Sequence, residues 1–192
     1  MAARTREGGD IMTSIDDDRL IQIAVELGAF KAAALAVADI RFRPEFRADC
    51  EANRCGNYGQ SWTCPPDAGD IHELIERAKA YERVLIFQSV CQLEDVFDYN
   101  SIMDLGKTHN ALALKLSESL TGRPHLVLGA GKCPVCERCA RLDDEPCRFP
   151  DQAICSMESY GINVMDLARK ADLKYNNGPL TMTLFGCILL KN

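Results

Sequence analysis

The sequence predicts an α/β fold in which helices flank a small, largely parallel sheet and two irregular, cysteine-rich loops follow strands. Strand-length apolar runs alternate with segments of helical periodicity, which is typical of this class. Two stretches without periodicity, 41–69 (the first loop) and 132–155 (the second loop), hold eight of the ten cysteines. With 192 residues, 47% of them hydrophobic, the chain can bury a core of its own.

The chain is expected to form one domain over residues 14–192, preceded by a disordered tail at 1–13. The net charge of −6 gives no basic footprint for nucleic acid. No apolar run reaches the length of a membrane span, and the N-terminus has no signal-peptide core. These features predict a cytoplasmic protein, in a compartment where clustered cysteines usually signify metal or redox chemistry rather than disulfides.

Each predicted element follows from apolar spacing and from its end signals. Ser14 is the expected N-cap of the first helix, which Gly28 ends. Asp70 and Glu73 have the spacing of a capping box at the start of another. The predicted helices are Ser14–Gly28, Asp70–Tyr81, 94–121, and a segment from Ser156 that breaks at Gly161 and restarts at Asn163. The predicted strands lie within 29–40, 84–90, 125–131 and 180–190.

The second loop carries the most specific motif in the sequence. Cys133, Cys136 and Cys139 are each separated by two residues, and Cys147 follows. This run is close to the one that binds a 4Fe–4S cluster in bacterial ferredoxins, where a tight turn presents three thiolates to three irons. It departs from that run because seven residues, not three, separate Cys139 from Cys147.

The first loop supplies three further candidate ligands, Cys50, Cys55 and Cys64. Together the two loops offer seven cysteines, one short of two complete 4Fe–4S sites. Cys155 could be the eighth ligand, or one iron could take a non-cysteine ligand or stay open. An open iron would make that cluster a reaction site.

Other readings of these residues stay open. Zinc could use Cys133 and Cys136 with Cys147 and one more cysteine. A zinc site would not need the third cysteine at the same two-residue spacing, Cys139. Cys91 and Cys187 lie in apolar strand patterns and are expected to fill the core. His109, on the apolar face of its helix, is more simply a core histidine than a ligand. Trp62 is expected to be buried, as a cluster shield or as a packing residue.

Three segments together resemble a known family. They are C-G-N-Y-G-Q-S-W-T-C-P-P (55–66), the cysteine run ending in P-C-R-F-P (131–150), and S-M-E-S-Y-G-I-N-V (156–164). The combination resembles a prokaryotic family of unknown function, described as predicted metal-binding proteins, over about residues 15–190. The resemblance implies metal binding through these cysteines, of iron–sulfur type, and it implies no established reaction.

The sequence therefore predicts a metal-binding protein with one or two 4Fe–4S clusters that transfers electrons to a redox partner protein. Two alternatives remain: a zinc-stabilised structural or interaction module, and an enzyme that uses an open-site iron–sulfur cluster. No nucleophile–base pair, carboxylate pair or nucleotide fingerprint rises above chance, so any activity would depend on the metal.

Overall fold

The computed structural model describes residues 15–191 as a mixed α/β fold. The tail expected at 1–13, and Ser14 as a helix cap, lie outside the described residues. The helices are α1 (Asp17–Glu26), α2 (Phe46–Glu51), α3 (Ile71–Lys79), α4 (Tyr99–Ser119) and α5 (Val164–Lys170). The strands are β1 (Lys31–Ala36), β2 (Arg83–Gln92), β3 (His125–Gly129), β4 (Cys155–Ser156) and β5 (Thr181–Leu190).

The helix ends follow the chemistry of their caps. Asp16, not Ser14, caps α1, since its carboxylate accepts a hydrogen bond from the Arg19 N–H at 2.7 Å. Asp70 caps α3 as predicted, accepting from the N–H groups of His72 and Glu73. Gly161 interrupts the segment after Ser156 in a left-handed conformation with φ 68°, as expected from the sequence, and Asn163 caps α5.

The prediction of a largely parallel sheet was wrong. The five strands lie in the order β1-β2-β5-β3-β4, and every neighbouring pair except β3–β4 is antiparallel. Because β2 and β3 both run antiparallel to β5, they are parallel to each other, as a helical crossover through α4 allows. The unforeseen feature is that β5 lies between them.

The composition of β5 explains its central place. Its last six residues, Phe185–Leu190, are all buried, and a strand buried on both faces lies best inside a sheet. Hydrophobic periodicity shows that such a segment is a strand but does not show which strands it pairs with. The error therefore concerns pairing rather than the existence of the elements.

The core has two parts, one on each face of the sheet. Leu85, Phe87 and Ile188 pack with α1 and α4 on one face. Val84, Ile86 and Cys187 pack with α3 and α5 on the other. This gives the three-layer arrangement expected of helices on both faces of a sheet. In the described part of the chain, no helix is long and apolar enough to cross a membrane.

The two loops leave the sheet at opposite ends of its strands. Ala36, at the end of β1, is level with the start of β3, as the shared register with Arg83, Leu190 and His125 shows. The first loop therefore starts at the end of the sheet opposite to the one where the second loop starts. An antiparallel β-bridge pairs Phe42 with Ile162, so the first loop runs back alongside the segment that follows β4.

Gly161 makes this return path feasible. The Arg43 N–H donates to the Gly161 carbonyl at 2.6 Å, and a Cβ at Gly161 would lie 3.1 Å from the Arg43 carbonyl oxygen. A side chain there would push the first loop away. The close approach delivers α2 and the cysteines of the first loop to the end of the sheet where β3 and β4 stop.

Candidate metal centre

The structure groups the candidate cysteines into two sets that lie side by side. The first thiol group, Cys50, Cys55 and Cys64, lines one large cavity of about 510 Å³. The second thiol group, Cys133, Cys136, Cys139 and Cys147, lines one narrow cavity of about 20 Å³. All ten cysteines are free thiols. Each group thus lines a cavity of its own, and its role as a ligand set stays a prediction.

The first thiol group is held by short local structure. Cys50 lies on α2, a helix of six residues, or about one and two-thirds turns, in a segment expected to be irregular. Cys55 follows on an exposed turn, whereas Cys64 is buried, with 7% of its surface exposed. Burial, together with the nearby thiols of Cys55 and Cys50, raises the pKa of Cys64 to about 11. The three sulfurs are therefore close enough for the charge of one thiolate to affect the pKa of the others.

Backbone N–H groups lie near two of the sulfurs in the second thiol group. Burial raises the pKa of Cys133, while N–H groups of Ile154 and Val135 that point at its sulfur oppose the rise. At Cys139 the balance is reversed: burial acts to raise the pKa, but hydrogen bonds that include the N–H groups of Arg141 and Trp62 lower it. Such N–H donors stabilise a thiolate and tune a bound metal.

The two loops are joined directly. The narrow cavity of the second thiol group is also lined by Ser61, Trp62 and Thr63 of the first loop. Arg141 forms an ion pair with Asp67 at 2.7 Å, and its guanidinium lies 5.4 Å from the centre of the Trp62 ring. No short motif could predict this pair, because its members are 74 positions apart.

Cys155 lies between the two thiol groups. Burial, together with the neighbouring thiols of Cys64 and Cys133, raises its pKa to about 11. Its position on β4, packed against the core, fixes it at the junction of the loops. It does not line the large cavity. Its role as an eighth ligand stays a prediction.

The remaining cysteines and His109 lie in other places. Cys187 is fully buried in the sheet, as expected. Cys91 is half-buried on β2, with its sulfur 3.8 Å from the Ser101 carbonyl oxygen. His109 is fully buried on α4, with Nδ1 2.9 Å from the Ser89 hydroxyl, so it fits the core role. Trp62 is only half-buried, which corrects the expectation of burial.

Charge around the second loop is balanced within the loop region. Arg138 pairs with Asp143, Arg148 with Glu145, and Arg141 with both Asp67 and Asp144. The arginines therefore hold the loop region together through ion pairs.

Glu158 is a site residue that sequence reasoning did not single out. It follows β4 and lines the large cavity together with Cys50, whose pKa its charge helps to raise, after the main effect of burial. The segment 156–164 that carried the family resemblance contains Glu158, and that was the one signal available.

The clustered free thiols are the kind of donor that binds zinc or an iron–sulfur cluster. Two groups of free thiols line two spaces, and N–H donors point at two of the sulfurs. Among residues 15–191, no three His, Cys, Asp or Glu side chains converge as they would on a single ion. The thiols surround their cavities instead of meeting at one point.

Fold and site together define a mixed α/β protein with clustered cysteines. The chain belongs to the family DUF2284, described as "Predicted metal-binding protein", whose model matches residues 33–190. All ten cysteines fall within the match. This confirms the family resemblance noted in the sequence. Searches of curated proteins and of solved structures each found no significant similarity.

Proposed function

We propose that this protein carries one or two 4Fe–4S clusters on its seven loop cysteines and transfers electrons to a partner enzyme in the cytoplasm. The observation that supports it best is the second thiol group, where four free thiols surround one cavity with N–H groups aimed at Cys133 and Cys139. A 4Fe–4S cluster is held by four cysteine thiolates, and hydrogen bonds to sulfur tune its potential. When bound, the cluster supplies reversible one-electron chemistry.

The first thiol group would hold a second cluster. Its cysteines line the large cavity, while Cys64 and Cys133 are both near Cys155. Two adjacent clusters would form a short relay with one end at the surface. Phe149, beside the narrow cavity, is 46% exposed, so this end is accessible to a docking protein.

Zinc is the second candidate, because four thiolates are also the donor set of a closed structural zinc site. In that case the two loops would form a rigid module without redox activity. The motif spacing favours iron, since Cys133, Cys136 and Cys139 present three thiolates from one turn.

Anaerobic purification with metal and sulfide analysis tests the proposal. We expect about four iron and four sulfide per chain for one cluster, or about eight of each for two. Broad visible absorption should bleach with dithionite and return on reoxidation through several cycles. A colourless protein that contains zinc would overturn the proposal in favour of the second candidate. Irreversible loss of iron on the first cycle would contradict a role as an electron carrier.

A further inference from the structure

The described part of the chain contains two serine–histidine pairs, and they differ in their access to solvent. In the first, the Ser89 hydroxyl lies 2.9 Å from Nδ1 of His109, and both residues are buried, with 6% and 0% of their surfaces exposed. In the second, the Ser117 hydroxyl lies 2.8 Å from Nε2 of His125. Both of these side chains are half-buried and line a cavity. Only the second pair can therefore meet a molecule from solvent.

The surroundings of His125 determine which of its ring nitrogens carries the hydrogen. Nδ1 lies 2.7 Å from the backbone carbonyl oxygen of Arg123, and a carbonyl oxygen only accepts hydrogen bonds. The neutral ring has one N–H, so this hydrogen is on Nδ1 and Nε2 is an acceptor. The Ser117 hydroxyl therefore donates to Nε2. This is the arrangement of a nucleophile, its base and a third group that orients the base.

The cavity beside this pair has a volume of about 380 Å³, within the range of roughly 300–1,000 Å³ that is typical of small-molecule sites. None of the described residues that line it is a cysteine, so it is separate from both thiol groups. One cation, Arg77, and two carboxylates, Glu118 and Asp151, line it. This mixture favours an uncharged molecule over an anion. Apolar surface for such a molecule comes from Leu114, Leu126, Val127 and Ile154.

The open edge of β3 adds a backbone hydrogen-bond donor to the cavity. The Lys191 N–H donates to the Pro124 carbonyl at 3.4 Å, so these two residues form a hydrogen-bonded pair. Such pairs alternate along an antiparallel ladder, so Leu126 faces β5 and the Val127 N–H points out of the opposite edge. Strand β4 pairs with β3 only from Leu128 onward, which leaves this edge beside the cavity. An N–H there suits the negative charge that develops on a carbonyl oxygen during acyl transfer.

We propose that Ser117 and His125 form a hydrolytic site for small, uncharged carboxylic esters, independent of the metal centre. Oγ of Ser117 attacks the ester carbonyl carbon while its proton passes to Nε2 of His125. The bond from that carbon to the alcohol oxygen breaks, and the alcohol leaves with the proton. A water molecule then gives a proton to Nε2 and its oxygen adds to the acyl carbon. The bond to Oγ breaks, Ser117 recovers the proton, and a carboxylic acid is released.

Labelling with a fluorophosphonate tests the nucleophile. Oγ of an activated serine displaces fluoride from phosphorus, and tandem mass spectrometry should locate the label on Ser117. Ser117→Ala should abolish labelling, and His125→Gln should slow it at least about a hundredfold, because general-base catalysis typically contributes 10²–10⁴-fold. The matched control is Ser119→Ala. Ser119 is on the same helix, but its hydroxyl donates to the Leu116 carbonyl at 2.7 Å, so this variant should be labelled like the wild type.

Hydrolysis of phenyl acetate, followed as phenol release, tests the reaction. We expect repeated turnover in the wild type and in Ser119→Ala, and at least about a hundredfold loss of rate in Ser117→Ala and His125→Gln. Thermal unfolding of each variant shows that it is folded. Equal labelling of the wild type and Ser117→Ala overturns the inference, and so does a labelled Ser117 without ester turnover. The iron content of Ser117→Ala should equal that of the wild type, so these results do not decide the proposed function.

Discussion

Trp62 donates its indole N–H to the backbone carbonyl of Glu145 at 2.9 Å, across 83 positions of sequence. This bond, with the Arg141–Asp67 ion pair beside it, clamps the first loop to the second. It places the two thiol groups next to each other, and any transfer of electrons between centres would need that proximity. The clamp is made by residues that bear no thiol, so it can be weakened without removing a ligand.

Asp67→Asn should loosen this clamp, because it removes the charge that holds Arg141 over the Trp62 ring. Trp62 is the only tryptophan, so its fluorescence reports on the clamp alone. We expect a red-shifted emission and a lower midpoint of thermal unfolding. Asp104→Asn is the matched control, since its pair with Lys107 is about three-quarters exposed on α4. An unchanged emission in Asp67→Asn would show that the ion pair does not position Trp62.

Removal of metal should loosen the loops but not the sheet. Most of each loop lacks regular structure, so bound metal should supply part of the free energy that orders it. In metal-free protein, trypsin should cut within 45–68 and 132–155, at Arg54 and Arg138 among other sites. Lys115, on α4, should stay protected. Mass spectrometry of timed digests measures this, and loops equally protected with and without metal would contradict it.

Two glycines provide a matched test of packing. A Cβ at Gly186, on β5, would lie 2.5 Å from Cζ of Phe87, so Gly186→Ala should destabilise the fold by about 1–3 kcal/mol. A Cβ at Gly106, on α4, would meet nothing within 4 Å, so Gly106→Ala should stabilise it by about 0.5–1 kcal/mol. Urea denaturation measures both. Equal effects of the two substitutions would refute the close contact between β5 and β2.

Acid should weaken the core through His109. Burial lowers its pKa from 6.5 to about 4. Between these two pH values, His109 is mostly neutral in the folded protein and mostly protonated in the unfolded chain. Stability from the neutral ring is complete above pH 6.5 and is lost as the pH falls toward 4, by on the order of 3 kcal/mol. His109→Gln should have lower stability overall but a shallower decline between pH 6.5 and 4. Parallel pH profiles for the two proteins would exclude this role.

The elements could be predicted from the sequence better than their arrangement. Apolar spacing located β2, α3 and β5 to within a few residues, because burial of one face is a local property. Whether β5 joins the edge or enters between β2 and β3 depends on which strands meet, and that is not encoded in periodicity. The parallel sheet was wrong for this reason.

The candidate site shows the same division. The spacing of Cys133, Cys136 and Cys139 predicted one thiol group, since a tight turn brings such residues together. The position of Glu158 beside the first thiol group, and the ion pair between Asp67 and Arg141, both depend on tertiary structure. They form because the first loop returns alongside Ile162. That path is set by tertiary contacts, so no short motif could show it.

The thiols should behave as two units when they are replaced one at a time. Serine at Cys133, Cys136 or Cys139 should remove about four iron, not a fraction, because one turn presents all three thiolates to one cluster. Serine at Cys50 or Cys64 should remove the other cluster. Iron and sulfide analysis of each variant measures this, and graded losses would contradict it.

Cys147 and the core cysteines complete that test. Cys147 lines the narrow cavity with the second thiol group, so Cys147→Ser should abolish the same electron paramagnetic resonance signal as Cys133→Ser. Loss of the other signal would mean that Cys147 ligates the neighbouring cluster, as the fourth cysteine does in two-cluster ferredoxins. Cys187→Ala should keep all its iron while losing about 1–3 kcal/mol of stability, because its side chain is fully buried in the sheet. If Cys187→Ala lost a cluster while Cys64→Ala kept both, the thiol groups would be wrongly assigned, since Cys187 lies in the core and Cys64 lines the large cavity.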